Sequence, residues 1–166
     1  MSENNTYEIE ILVRRRDSFE AWNAADVFWR TMDYERQRRK CTDVTLKRSM
    51  SECDNKNPIT DVRVIMEIGK CSKIVPYIFM MKFGYSNSTT KKNQFNHYEI
   101  TIRHNTLESM IATREQVHDQ LVGMDEYIDS GIVLSEDADK KEIYLLIGAE
   151  TNWRPRIVFT GEDINH

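Results

Sequence analysis

Acidic and basic side chains recur together on segments whose alternation marks them as strands. Glu8 and Glu10, with Arg14 and Arg16, share the polar side of one such segment. Asp43, Thr45 and Lys47 share another, then Arg63 and Glu67, then Lys82, then Glu99, Thr101 and Arg103. Carboxylates gathered in this way can bind Mg²⁺ or Mn²⁺ through oxygen, and lysine or arginine can hold phosphate. On that reading Glu8, Glu10 and Glu99 are the metal ligands, and Lys47, Lys82 and Arg103 the phosphate ligands. The sheet would then curl so that its charged face turns inward, where charges are costly unless an anion and a metal satisfy them. On the competing reading the same face meets water and its charges pair across strands. The second is favoured, because antiparallel strands with one wet face are the commoner case.

Other chemistries find less support. His97, His104, His118 and His166 show no metal-ligand spacing, and no G-x-S-x-G, P-loop or G-x-G-x-x-G run occurs. Cys41, Cys53 and Cys71 are widely spaced and odd in number, which suits reduced thiols rather than a disulfide framework or a zinc site. Arg14, Arg15 and Arg16, the run Arg36 to Lys40, and Lys47 with Arg48 could together form a basic patch for RNA or an acidic protein. Trp22 and Trp29, aromatics of the kind that stack on bases, fall instead on a buried helical arc. Trp153-Arg-Pro-Arg156 sets an aromatic among cations, the composition of a partner contact. The candidate partner residues are therefore Arg14, Arg15, Arg16, Arg38, Arg39, Trp153 and Arg154.

The elements that must position these residues can be read along the chain. Residues 6–16 alternate as a strand, with Tyr7, Ile9, Ile11 and Val13 on its apolar side. Asp17-Ser-Phe-Glu20 is a capping box, opening a helix to about Lys40. Its apolar arc is Ala21, Trp22, Ala25, Phe28, Trp29 and Met32. Strands are predicted at 42–49, 60–69, 73–85 and 95–103, with a hairpin turn over Ser86 to Asn93. A second capping box, Asn105-Thr-Leu-Glu108, opens a helix that buries Leu107, Met110, Ile111, Val117 and Leu121 and stops at Gly123. Strands near 131–134, 142–149 and 155–160 complete the chain. Tyr7-Glu-Ile-Glu-Ile11 and Tyr98-Glu-Ile-Thr-Ile102 both lead into a capped helix, an echo that points to two β-α-β-β halves. The predicted fold is a single α+β domain over 1–166, with a mainly antiparallel sheet, open or curled, and two amphipathic helices.

Glu8-Ile-Glu10 on a first strand resembles the E-x-E-x-K opening of the CYTH, or triphosphate tunnel, proteins. The order of strands and helices is similar, Tyr77-Ile-Phe-Met-Met-Lys82 looks like that family's strand with a phosphate-binding lysine, and His97 to Arg103 looks like the start of its second half. The resemblance implies a tunnel that binds or hydrolyses triphosphates with a divalent metal. The lysine of the opening motif is replaced by Leu12, and no second E-x-E follows: the closing strands read Glu142-Ile-Tyr-Leu and Arg156-Ile-Val-Phe.

Composition bounds the rest. In 166 residues, 40% are apolar and 30% charged, enough for a core and too apolar for a disordered tail. The formal charge is −4, divided as 18 Lys/Arg against 14 Asp/Glu in residues 1–103 and 5 against 13 in 104–166. Such a division can steer partners or favour self-association. The absence of a signal-like start and of a long apolar run predicts a cytoplasmic or nuclear protein, or in a virus one of the host cell's interior. The expected function is a small interaction module that binds a protein partner without catalysis or cofactor. The alternatives are a metal-dependent triphosphate-binding protein or phosphohydrolase of the tunnel type, in intact or degenerate form, and an RNA-binding accessory protein.

Overall fold

The computed structural model describes residues 6–38, 43–53, 59–69, 75–82, 98–122, 132–147 and 153–160. They form β1 (Tyr7–Arg15), α1 (Ser18–Arg38), β2 (Val44–Cys53), β3 (Ile59–Ile68), β4 (Val75–Lys82), β5 (Tyr98–His104), α2 (Leu107–Val122), β6 (Ile132–Asp137), β7 (Glu142–Ile147) and β8 (Trp153–Thr160). Every predicted strand and helix is present. The 86–93 turn and Gly123 lie outside the described residues.

Six strands make one sheet in the order β2-β3-β1-β5-β7-β6, and β4 pairs with β8 in a separate two-stranded ribbon. All pairings are antiparallel. The six-stranded sheet is open and does not close into a barrel: β2 and β6 are its two edges.

The order carries the echo seen in the sequence. β1-α1-β2-β3-β4 and β5-α2-β6-β7-β8 repeat one topology, and the sheet reads outward from β1 and β5 in the same way on both sides. Glu10 pairs with Thr101, the fourth residue of one echo against the fourth of the other. An approximate two-fold axis therefore passes between them.

Alternation decides which face is covered. Tyr7, Ile9, Ile11 and Val13 meet Val62, Val64, Met66 and Ile68 on one side and Ile100 and Ile102 on the other, and all are buried. α1 packs on β1, β2 and β3, and α2 on β5 and β7, while the ribbon touches α1 through β8 and α2 through β4. Ala21, Ala25, Phe28 and Met32 from α1, with Met110 and Val117 from α2, join the strands in one core. A fully buried isoleucine of this kind contributes about 2 kcal/mol by leaving water.

The helix starts differ in one respect from their prediction. Asp17 caps α1, accepting the amide of Phe19 at 3.1 Å. The cap of α2 is Thr106, whose Oγ1 accepts the amide of Ser109 at 3.2 Å. Asn105 instead accepts the amide of Thr6 at 3.0 Å, tying the end of β5 to the start of β1. Leu107, expected inside, is 44% exposed, because the buried stretch of α2 begins one turn later at Met110. Among the described residues no helix is long and apolar enough to cross a membrane.

Candidate functional site, the open face of the sheet

With both helices on one side, the other side of the six-stranded sheet displays the polar residues of every strand. Register arranges them in rows. One row runs Thr45, Glu67, Glu8, Arg103, Glu142, Asp137 across all six strands. The next runs Lys47, Ile65, Glu10, Thr101, Tyr144, Ser135, and the third Ser49, Arg63, Leu12, Glu99, Leu146, Val133. Cross-strand neighbours on one face stand about 5 Å apart, close enough for side chains to pair directly.

Arg103 is the hub. Its Nη1 donates to Glu8 Oε2 at 2.8 Å and to Glu10 Oε1 at 2.9 Å, and its Nε donates to Glu142 Oε2 at 3.0 Å. Partial burial works against its charge, but the bond to Glu10 and the surrounding carboxylates hold it above the usual guanidinium range. Glu10 also accepts from Arg63 Nε at 3.0 Å. Tyr144 donates its hydroxyl to Glu142, and that bond, with the nearby carboxylate charge, pushes the phenol up to about 12. Toward the β2 edge, Glu67 accepts from Thr45 and from Lys47, each at 3.2 Å. At the other end of β1, Arg14 grips Asp61 through two bonds of 2.7 and 3.0 Å.

The proposed metal and phosphate residues are therefore partly gathered and partly dispersed. Glu8 and Glu10 converge on Arg103. Glu99 lies opposite Leu12, four residues along the strand from the Glu8 row, a separation of about 13 Å. Lys47 stands three strands from Arg103, about 14 Å, and is engaged by Glu67. Lys82 pairs in register with Trp153, and Met81 with Arg154, on the β4–β8 ribbon. The side chains of Lys82, Trp153 and Arg154 lie outside the described residues, as does Arg39 altogether. Among the described residues, no three His, Cys, Asp or Glu side chains are grouped as metal ligands would be.

The basic residues expected to share a patch are separated by α1. Arg16 precedes its first turn and Arg38 ends its last, about 30 Å apart along 21 residues. Arg15 is buried and donates to the carbonyl of Arg14 at 2.9 Å. Arg36 pairs with Asp33, and Arg38 with the buried Glu35. Arg48 lies on the covered side at the sheet edge, its guanidinium 4.3 Å from the ring centres of both Trp22 and Trp29. Those indoles are half-buried against the core, as their arc predicted, with an arginine between them that the arc did not reveal.

What sequence reasoning missed is the composition of the mixed face. Glu142, Tyr144 and Asp137 belong to it because β7 and β6 pair beyond β5. Leu146 and Val133, 40% and 53% exposed, give its third row an apolar end. Alternation within 142–147 was the available signal. No protein-family model, curated protein or solved structure matches this chain.

Proposed function

We propose that the chain is a non-catalytic protein-binding module whose open sheet face docks a basic segment of another protein. The carrying observation is the charge balance of that face. Glu8, Glu10, Asp61, Glu67, Glu99, Glu142 and Asp137 share it with Arg14, Lys47, Arg63 and Arg103, and each of those four cations is already held by a carboxylate. An incoming phosphate would have to break these pairs, whereas an incoming lysine or arginine meets surplus negative charge. Leu146 and Val133, at the apolar end of the third row, supply a small exposed apolar contact beside Glu99.

The test is an amide NMR titration of the full chain with a lysine- and arginine-rich peptide and with its glutamate counterpart. The basic peptide should move resonances of β1, β5 and β7. Its affinity should fall several-fold between about 50 and 300 mM salt, since exposed charge pairs are screened. Combined Glu67→Gln and Glu99→Gln should weaken it further. Silence of the sheet resonances toward the basic peptide would sink the reading. A melting midpoint raised by Mg²⁺ with tripolyphosphate, and not raised in Glu10→Gln, would install the triphosphate alternative instead. Equal movement by an RNA oligonucleotide would favour the RNA reading.

A further inference from the structure

Where β1 and β2 begin and β3 and β5 finish, a cleft of about 450 Å³ opens at the end of the sheet. Tyr7, Ile68 and His104 form its apolar and aromatic wall, and Glu8, Asp43 and Glu67 its acidic rim. Gly69 completes the wall: its amide donates to the Asp43 carbonyl at 2.8 Å, and a side chain there would meet the Asp43 carboxylate at 2.7 Å. Arg103 is the cation of the lining, and its Nε and Nη1 are committed to Glu8, Glu10 and Glu142.

His104 sets this cleft apart from a mere acidic hollow. The residue is 6% exposed, yet among the described residues neither Nδ1 nor Nε2 has a hydrogen-bond partner. It meets the Tyr7 ring edge-on, with centroids 4.6 Å apart. A buried polar group left unpaired is destabilising, so the site carries an unmet demand for a donor and an acceptor. Burial also drives the imidazole down to about 4, which keeps it neutral, with one nitrogen free to accept. Because no hydrogen bond among the described residues fixes the ring, turning it toward the cleft breaks none of them.

We infer that the cleft is a socket for one ammonium or guanidinium group on an aliphatic stem. Glu8, Asp43 and Glu67 supply the opposite charge, the neutral His104 accepts an N–H, and Tyr7 with Ile68 covers the stem. The rim shares Glu8 and Glu67 with the open face, so a lysine or arginine of the docking segment is the source that follows from the proposed function, on which this inference rests. A free alkylamine carries the same chemistry.

The experiment titrates the full chain with n-butylammonium, using 1-butanol and butyrate as neutral and anionic controls, and follows Tyr7, Gly69 and His104 by NMR. Butylammonium should give saturable shifts at about 10 mM, where a millimolar site fills, and the controls should not. Glu67→Gln, a surface change that leaves the core alone, should weaken binding about fivefold, the scale of one exposed charge contact. His104→Leu should abolish it. Equal shifts with butanol, no shifts with butylammonium, or binding unchanged in both variants would overturn the socket. Basic-peptide binding with the cleft silent would overturn it while leaving the docking reading standing. Butylammonium binding without any peptide binding would keep the socket, assign it to a free amine, and remove the docking reading.

Discussion

The two halves of the chain tie their helices to the sheet at the same place with opposite polarity. Arg48, Val64 and Ile11 form one row on the covered side of the first half, and Glu136, Ile143 and Ile102 form the matching row of the second. In the first half the outer strand supplies the cation: Arg48 donates to Asp26 of α1 at 2.8 Å. In the second it supplies the anion: Glu136 accepts from Arg114 of α2 at 2.9 and 3.0 Å. The topology thus asks for a link between helix and edge strand, and leaves its sign free. Local packing then fixes the sign in the first half, where two indole faces enclose Arg48 and favour a cation.

The largest test of this two-fold equivalence lies in the core. Ile11 and Ile102 occupy matching rows and are 0% and 1% exposed. Ile11→Ala and Ile102→Ala should each cost about 3 kcal/mol in urea unfolding, as buried large-to-small changes do. They should agree within about 1 kcal/mol if the halves are energetically alike. A gap twice that size would mean that topology repeats without its energetics.

At His104 the halves diverge inside the core. Val13 pairs with Tyr98 and His104 with Tyr7, so the two-fold axis sets a histidine where the first half has valine. His104→Leu should raise stability at pH 7 by about 1 kcal/mol, because it removes unpaired nitrogens from the core. Acid should widen the difference. The imidazole falls from its ordinary 6.5 to about 4 on folding, so between these values the unfolded chain binds a proton that the folded chain refuses. This group's contribution is therefore lost as pH drops from 6.5 toward 4, by up to about 3 kcal/mol. Urea midpoints at pH 7 and 4.5 read it directly: the parent should lose more than His104→Leu, and parallel losses would show that His104 is not the cause.

Most of the fold was legible because its signals are local. Alternation marks β1, β3, β5 and β7, and the echo of Tyr7 to Ile11 in Tyr98 to Ile102 anticipates the repeated topology. The second cap escaped because Asn105 is occupied by Thr6, a residue 99 positions away, and no local pattern records that. The open face was legible as a face but not as a network. Alternation says that Glu8, Arg103 and Glu142 point to one side of their strands. Only the order β1-β5-β7 makes the arginine their shared partner. The sandwich at Arg48 was hidden for the same reason, since nothing near Lys47-Arg48 announces two tryptophans from an earlier helix.

The ion-pair comparison itself yields the smallest effects and the sharpest separation. Arg48 and Asp26 are 22% and 23% exposed, against 34% and 36% for Arg114 and Glu136. Arg48→Ala should cost about 2 kcal/mol, through two lost ring contacts as well as the ion pair. Arg114→Ala should cost less than about 1 kcal/mol, as exposed pairs do. Exchanging polarity isolates the role of the rings once Arg30, which also pairs with Asp26 at 2.7 Å, is replaced by alanine in the background of both exchanges. Arg114→Glu with Glu136→Arg should change the unfolding free energy by less than about 0.5 kcal/mol, because the second link needs opposite charges and nothing else. Asp26→Arg with Arg48→Asp should cost about as much as Arg48→Ala, since it sets a carboxylate against the negative faces of Trp22 and Trp29. If the two exchanges are equally benign, the indoles do not choose the sign, and the polarity of each half is an accident of its sequence rather than a consequence of its packing.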